Sequence, residues 1–204
     1  MVERQLRRRG ISDQRVLEAM REVPRELFVP KEQRRRAYAD SALPIGSGQT
    51  ISQPWIVAAI CQSLELAGPE RVLEIGTGSG YSSAVLALLA AEVLTIERHA
   101  ELAQEADARI RELGIPNVEV VVGDGSRGLP ERGPFEAIAV HATAPRPPRS
   151  LAEQLAEGGR LVIPIAQRGA DMLTQYRRRG DEIVAEVIGP CRFVPLIGEE
   201  GFES

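Results

Sequence analysis

The sequence has few aromatic residues, few cysteines and no long apolar run. Phe, Trp and Tyr make up only 4% of its 204 residues, so aliphatic side chains must fill most of the core. Its two cysteines, Cys61 and Cys191, are far apart, a spacing that fits neither a disulfide framework nor a zinc site. Both are predicted to be reduced, buried thiols. No stretch approaches the roughly 20 apolar residues of a membrane-spanning helix.

The first residues show no apolar signal-peptide core, and the chain has no strong excess of basic charge. Residues 1–10 are charged and have no apolar centre of the kind found in signal peptides, so we expect a cytoplasmic protein without a membrane partner. The net charge of −4 gives no overall basic face, which nucleic-acid binding would favour. Short arginine runs at residues 7–9, 34–36 and 177–179 are predicted to be solvated surface, and no nucleic-acid partner is expected.

Residues 1–68 show helical patterning that is interrupted by a loop. Ser12 and Asp13 are candidate N-caps for the first clear helix, in which apolar side chains recur at helical spacing. Residues 43–50 contain two glycines and little periodicity, which predicts a loop. Pro54 is placed to begin a second helix that runs to about residue 66.

From residue 71 onward, strand-like apolar runs alternate with helical stretches. This alternation predicts a mainly parallel sheet covered by helices on both faces. The last two strand-like runs have no helix between them, so they are predicted to form an antiparallel pair at one edge. The predicted strands are residues 72–75, 92–96, 118–122, 135–140, 161–165, 172–176 and 183–188, and the predicted helices are residues 81–91, 100–113 and 151–156.

The strongest local motif is the glycine-rich segment after the first of these strands. Gly76, Gly78 and Gly80 lie where the strand runs into a helix, the place at which ligands bind in open α/β sheets. The dinucleotide fingerprint requires two residues before its third glycine, and the phosphate loop of nucleoside-triphosphate enzymes is absent. With Glu74 two residues ahead of Gly76, the segment resembles motif I of the class I S-adenosylmethionine methyltransferases.

Two further acidic residues lie at or beyond the ends of the next two strands. Glu97 ends the second strand, about 20 residues after the glycine turn, where an acid can accept both ribose hydroxyls. Asp124 follows the third strand, where a carboxylate can accept from an adenine amino group. We therefore predict S-adenosylmethionine as the cofactor and S-adenosylhomocysteine as its product. The predicted cofactor contacts are Glu74, Gly76, Thr77, Gly78, Glu97, Asp124, Gly125, Thr50 and Ile51.

An upstream segment, Thr50-Ile51-Ser52-Gln53-Pro54, narrows the choice among the families of S-adenosylmethionine methyltransferases. With it the chain resembles the protein-L-isoaspartate O-methyltransferases over essentially its whole length, including residues 10–11, 23–30, 38–40, 72–81, 123–125, 142–145, 158–162 and 192–196. The resemblance implies an α/β, three-layer, Rossmann-like class I methyltransferase fold with an N-terminal helical extension. One domain is expected over residues 1–204, with a helical and substrate-loop region at 1–68 and a cofactor-binding core at 69–204.

The resemblance also implies an activity in protein repair. The family methylates the free α-carboxylate of an L-isoaspartyl residue, and the ester then cyclises to a succinimide that can reopen to normal aspartate. It places the active-site serine at Ser52 and uses Phe193, Val194 and Pro195 to hold the substrate. Isoaspartyl proteins and peptides are therefore the expected partners, and a monomer is expected.

The chemistry of this reaction favours a serine that orients the substrate. An α-carboxylate, with an ordinary pKa of about 3.3–3.7, is ionised at pH 7 and is itself the nucleophile. Ser52 can donate one hydrogen bond to it, whereas a direct arginine clamp would stabilise the anion too strongly. Catalysis should rest on positioning and exclusion of water, and no metal ion is expected. The simpler alternative is that Ser52 only caps the helix at Pro54.

Other interpretations stay open at the level of sequence. A nicotinamide-dependent oxidoreductase, a non-catalytic adenosylmethionine-binding module and a methyltransferase of small molecules are the rival functions. His141 follows a strand and could reach the site, whereas His99 is expected at a helix start on the surface. Trp55 fits either the core or a cofactor-lining position. Departures from the usual family residues occur at Glu136, His141, Thr143 and Cys191, of which His141 and Thr143 could alter the cleft.

Overall fold

The computed structural model describes residues 1–203, and Ser204, the last residue of the predicted domain, lies outside the described residues. The strands are β1 (Leu43–Gly46), β2 (Gln49–Ile51), β3 (Arg71–Ile75), β4 (Glu92–Glu97), β5 (Val118–Val122), β6 (Phe135–Val140), β7 (Leu155–Ile165), β8 (Asp171–Arg179) and β9 (Glu182–Cys191). The α-helices are α1 (Gln14–Glu22), α2 (Pro54–Ser63), α3 (Tyr81–Ala87), α4 (Ala100–Glu112) and α5 (Arg149–Glu153). Shorter helical turns occur at Val2–Leu6, Arg7–Arg9, Arg25–Phe28, Lys31–Arg36, Gly125–Arg127 and Pro130–Arg132.

Seven of the strands form one sheet, in the order β5-β4-β3-β6-β7-β8-β9. The strands from β5 to β7 are parallel to one another, and β8 and β9 add to the edge in antiparallel pairings. The predicted α/β class, the mainly parallel sheet and the antiparallel C-terminal edge are therefore confirmed.

The core lies on both faces of this sheet, because neighbouring side chains of a strand point to opposite faces. In β3, Val72 joins an apolar cluster with side chains of α1, α2 and α3, and the next residue, Leu73, joins a second cluster that includes Leu151 of α5. Leu6 and Leu17 belong to the first cluster. Residues 1–68 thus share a core with the sheet, which gives the predicted three-layer arrangement with an N-terminal helical extension.

The start of α1 confirms one of the two candidate caps. Asp13 is the N-cap, and its Oδ1 accepts hydrogen bonds from the backbone amides of Arg15 at 2.9 Å and Val16 at 3.2 Å. These bonds satisfy two amide groups that a helix start leaves without partners.

The loop predicted over residues 43–50 is wrong, because this segment forms the β1–β2 hairpin. Leu43 pairs with Ile51, and both side chains are buried, which gives the hairpin an inner face. The chain reverses at Gly46, Ser47 and Gly48, all of which have positive φ. The apolar residues flanking two turn glycines were the signal for a hairpin.

The helix predicted over residues 151–156 is also wrong in its second half. α5 ends at Glu153, and β7 begins at Leu155, two residues later. Gly159 lies inside β7, where a Cβ atom would come within 2.9 Å of the carbonyl oxygen of Ala156 and 3.1 Å of that of Glu136. The glycine therefore permits a close strand pairing at an irregularity between β6 and β7, and it does not end a helix.

Helix α3 is shorter than the predicted span of residues 81–91. It ends at Ala87, and the side-chain amide of Asn117 donates to the carbonyl oxygens of Ala87 at 2.9 Å and Ala90 at 3.2 Å. Carbonyl groups at a helix end need such partners.

The two cysteines differ in burial. Cys61 and Cys191 are free, but only Cys61 is buried, so the prediction of two buried thiols is half wrong. Within residues 1–203 no helix combines the length and the apolar character that crossing a membrane requires.

Candidate active site

A cavity of about 250 Å³ opens at the carboxyl ends of the central parallel strands. Ligands of open α/β sheets bind at this edge. Its wall comes from segments that are far apart in sequence: residues 48–52, 75–79, 96–99, 141–142 and 194–197, with Val57, Tyr81, Ser82 and Gly125. The fold thus brings the glycine turn, the Ser52 segment and part of the C-terminal segment to one cavity.

The glycine turn after β3 forms one side of the cavity. Gly76, Gly78 and Gly80 all have positive φ, at 94°, 54° and 85°, which side chains rarely tolerate. The amides of Gly76 and Thr77 donate to the carbonyl oxygen of Ile96 at 2.8 and 3.3 Å, so the turn is fixed to the end of β4. Gly76, Thr77 and Gly78 all lie on the wall, as a backbone cradle for a ligand requires.

Glu97 lies on the wall at the end of β4, as the sequence predicts. Its Oε2 accepts a hydrogen bond from the amide of Gly78 at 2.9 Å, and its Oε1 accepts one from the amide of His99 at 3.0 Å. The residue is 5% exposed. Each carboxylate oxygen keeps a second lone pair, so a rigidly held Glu97 can accept from two further hydroxyl groups.

Glu74 does not line the cavity, although it was predicted to contact the cofactor. It is fully buried in β3, where the hydroxyl of Ser83 donates to its Oε2. Its Oε1 lies 3.2 Å from Nε2 of His141, in an alignment that leaves this oxygen without a hydrogen bond. Burial raises the pKa of Glu74, but neighbouring His141 and the hydroxyls of Ser83 and Thr95 outweigh burial and lower it. Glu74 can therefore influence a ligand in the cavity only through the residues that separate it from the cavity, such as His141.

The imidazole of His141 forms part of the wall between Glu74 and the cavity. Its Nε2 lies 2.9 Å from Oγ of Ser82, which also lines the cavity. From the sequence, His141 was only a minor candidate for the site. The available signal was its position immediately after β6, a strand that pairs with β3.

Asp124 is held by the chain itself and is not on the wall. Its Oδ1 accepts from the amide and hydroxyl of Ser126, at 2.9 and 2.8 Å, and its Oδ2 accepts from the amide of Glu199 at 2.9 Å. Burial raises the pKa of Asp124, and these hydrogen bonds outweigh burial and lower it. The next residue, Gly125, does line the cavity. The turn that follows β5 therefore contributes to the wall through Gly125 and not through the side chain of Asp124. The predicted adenine contact of Asp124 stays a prediction.

The Ser52 segment forms the opposite part of the wall. Thr50, Ile51 and Ser52 all line the cavity between β2 and α2. The N-cap of α2 is Gln53, and α2 has no side-chain cap, so the alternative that Ser52 caps this helix is wrong. The carbonyl oxygen of Ser52 accepts a hydrogen bond from Nη2 of Arg25 at 2.7 Å. The main chain of Ser52 is thus fixed from behind, whereas its hydroxyl is not used as a cap.

The C-terminal segment closes the wall beside the Ser52 segment. Val194 and Pro195 line the cavity, whereas Phe193 does not; its ring lies 6.4 Å from the imidazole of His141. The amide of Thr143 donates to the carbonyl oxygen of Val194 at 2.8 Å, and the amide of Leu196 donates to that of Thr143 at 2.7 Å. Thr143, noted above as a departure, therefore anchors this segment through its backbone.

Trp55 lies away from the cavity. The indole nitrogen of Trp55 donates to the carbonyl oxygen of Arg9 at 3.2 Å, and the Arg9 guanidinium lies 4.3 Å from the ring centre, so Trp55 packs against the N-terminal turn. Among residues 1–203 there is no cluster of three or more His, Cys, Asp or Glu side chains that could hold a metal ion.

The residues of the cavity fit the predicted cofactor. The backbone cradle has no side chain at Gly76 or Gly78, and a Cβ at Gly78 would lie 3.4 Å from Cδ1 of Ile45. An acid with free lone pairs, Glu97, lies beside this cradle. A nucleoside with two ribose hydroxyls matches this combination.

Comparison with known proteins shows the same family. The sequence model of the family described as "Protein-L-isoaspartate(D-aspartate) O-methyltransferase (PCMT)" matches residues 1–201. A protein-L-isoaspartate O-methyltransferase of Roseiflexus castenholzii is 56% identical over 94% of this chain and 88% of its own.

Solved structures give the same result. A protein-L-isoaspartate O-methyltransferase superimposes with a TM-score of 0.88 at 30% identity, over 98% of this chain and 67% of the other. A second structure, of the corresponding protein of Plasmodium falciparum in complex with S-adenosyl-L-homocysteine, has a TM-score of 0.82 at 27% identity and covers 94% of each chain.

Proposed function

The chain belongs to the protein-L-isoaspartate(D-aspartate) O-methyltransferase family, and from that premise we propose how its cavity performs the reaction. The methyl group of S-adenosylmethionine is transferred to the free α-carboxylate of an L-isoaspartyl residue in a damaged protein or peptide. The family, the reaction and the cofactor predicted from the sequence are thereby confirmed, and a nicotinamide-dependent oxidoreductase is excluded. The roles of individual residues remain proposals.

One observation carries the proposal: Ser52 lies on the wall of the cavity that also contains Glu97 and the glycine turn. Bound S-adenosylmethionine supplies an electrophilic methyl group on a sulfonium ion. We assign Glu97 to the ribose hydroxyls and the backbone of Gly76–Gly78 and Gly125 to the remainder of the cofactor. A carboxylate beside Ser52 would share this cavity with the cofactor, which is what direct transfer requires.

The role of the protein toward the substrate is orientation. The isoaspartyl carboxylate is already ionised and needs no general base. The hydroxyl of Ser52 donates to one carboxylate oxygen and leaves the other free to attack. The Val194–Pro195 backbone holds the peptide beside it, in a segment fixed by Thr143. Because attack removes a positive and a negative charge together, exclusion of water from the cavity favours it.

We propose in addition that one copy of the chain is sufficient for activity. The residues to which we assign the cofactor and the substrate, Glu97, Ser52 and Val194–Pro195, all line one cavity of this chain. Isoaspartyl proteins and peptides are the partners in this proposal, and neither nucleic acid nor a membrane takes part. The cytoplasmic location and the division of the domain at residue 68 remain predictions from the sequence.

Replacement of Ser52 tests the proposal. Ser52→Ala should lower kcat/KM for an isoaspartyl peptide by roughly 10- to 1,000-fold and leave the affinity for S-adenosylhomocysteine almost unchanged. Ser52→Thr keeps a donor and should retain more activity than Ser52→Val. The control is Ser63→Ala at the other end of α2, which should behave as wild type. Wild-type turnover by Ser52→Ala would refute the assignment of Ser52.

A further inference from the structure

Arg25 is the largest fully buried side chain of the described residues, with 0% of it exposed. It forms no ion pair with any carboxylate among residues 1–203, and burial lowers the pKa of its guanidinium. An arginine stays charged in proteins, and a buried charge without a counter-ion is costly. The contacts that Arg25 makes must therefore offset the cost of burying its charge.

The contacts of Arg25 join separate segments behind the cavity. Its Nε donates to the carbonyl oxygen of Ala37 at 2.7 Å, and its Nη2 donates to that of Ser52 at 2.7 Å. Its guanidinium carbon lies 4.7 Å from the ring centre of Tyr81. Ser52 and Tyr81 both line the cavity, so Arg25 lies directly behind its wall.

One guanidinium nitrogen has no assigned partner. Nη1 of Arg25 is buried and forms no hydrogen bond. The other two nitrogens bind neutral carbonyl groups, so nothing in the contacts of Arg25 cancels its positive charge. In a poorly solvated region this charge is weakly screened and acts on an anion nearby.

We propose that Arg25 is a positioning residue for methyl transfer, an inference that rests on the proposed role of Ser52. By holding the Ser52 carbonyl, it fixes the peptide group from which the hydroxyl reaches the substrate carboxylate. By placing an uncancelled positive charge behind Ser52, it attracts that carboxylate without binding it directly. A direct clamp would quench the nucleophile, whereas a charge behind the loop leaves its oxygens free.

The two proposed effects of Arg25, attraction of the carboxylate and orientation of the Ser52 hydroxyl, should change different steady-state constants. Attraction of the carboxylate acts on KM for the peptide, and orientation of the hydroxyl acts on kcat. Arg25→Met removes both, so kcat/KM should fall about 10- to 100-fold, the range for loss of a charged hydrogen bond. Arg25→Lys keeps the charge without the forked donor and should restore KM more than kcat. The exposed Arg21→Met, whose partner is Glu3 at 3.2 Å, is the matched control and should match wild type.

Binding and coupling measurements complete the test. Calorimetry should give an S-adenosylhomocysteine Kd within about twofold of wild type for both Arg25 variants, since Arg25 acts on the substrate side. In a Ser52→Ala background, Arg25→Met should lower kcat much less than in the wild type, because orientation acts through the Ser52 hydroxyl, whereas the rise in KM should remain, because the attraction of the carboxylate does not need that hydroxyl.

Each failure has a distinct meaning. If Ser52→Ala has no effect, the role of Ser52 fails and the Arg25 inference falls with it. If Ser52→Ala is impaired but Arg25→Met matches Arg21→Met, or the effect of Arg25→Met on kcat is undiminished in the Ser52→Ala background, the Arg25 inference alone is overturned. Should Arg25→Met fail to fold, Arg25→Lys decides at a temperature well below its Tm: kinetic constants equal to wild type would overturn the inference.

Discussion

Replacing Glu97 with alanine should weaken cofactor binding by about 30- to 150-fold. The carboxylate is 5% exposed on the cavity wall and accepts from the amides of Gly78 and His99 at 2.9 and 3.0 Å, so its position is fixed before a ligand arrives. Two hydrogen bonds from ribose hydroxyls to a preorganised carboxylate are together worth about 2–3 kcal/mol. Each 1.4 kcal/mol corresponds to a tenfold change in Kd, which gives the stated range.

Calorimetric titration with S-adenosylhomocysteine measures this effect directly, without substrate turnover. Glu97→Gln keeps the size of the side chain but loses its charge, and it should fall between alanine and wild type. The control is Glu92→Ala at the other end of β4, where the side chain is 39% exposed and pairs with Arg71 at 2.7 Å. A surface pair of this kind contributes little, so cofactor affinity should not change. A Kd for Glu97→Ala within twofold of wild type, in a folded protein, would refute the ribose assignment.

Three further outcomes are expected. Gly125→Ala places a Cβ in steric overlap with Cγ2 of Ile75, so it should lower Tm by several degrees, about 2–4 °C per kcal/mol, and weaken S-adenosylhomocysteine binding. Gly189→Ala, with open space around it, should change neither. The pKa of Glu74 is lower in the folded state than its ordinary value of 4.5, so its carboxylate stabilises the fold above that value and ceases to do so as the pH falls through the lowered pKa. The Tm advantage of wild type over Glu74→Gln should therefore shrink as the pH falls below 4.5, and a constant difference would contradict the shift. Methyl transfer to a carboxylate needs no Lewis acid, so a chelator should leave activity unchanged, and loss restored by a divalent ion would show this prediction to be wrong.

The sheet was predictable from sequence because its strands are short apolar runs bounded by clear turn signals. The strand at Val118–Val122, for example, begins and ends where the pattern predicts. The β1–β2 hairpin was missed because its two glycines were interpreted as a loop, although the apolar residues that flank them, Leu43 and Ile51, pair with each other and are buried. Similarly, the helix predicted over residues 151–156 runs into β7, a strand in which Gly159 is needed for a close approach to β6.

The sequence predicts correctly the wall residues whose place is set by the backbone at a strand end. It predicts less well whether a side chain points into the cavity or into the core. Gly76, Gly78 and Glu97 lie on the wall because the end of a parallel strand fixes where they point. Glu74 lies within β3, so its side chain points into the core, a direction that spacing along the sequence did not reveal. Asp124 is engaged by the amide of Glu199, 75 residues away, and no local pattern reports so distant a contact.

The most direct test measures methyl transfer from labelled S-adenosylmethionine to a peptide containing one L-isoaspartyl residue, beside the same peptide with normal aspartate. Transfer should occur to the isoaspartyl peptide and remain at background for the aspartyl peptide. The label should then be released as methanol as the ester cyclises to a succinimide. Equal labelling of both peptides, or no labelling of the isoaspartyl peptide by protein that binds S-adenosylhomocysteine, would contradict the proposed function.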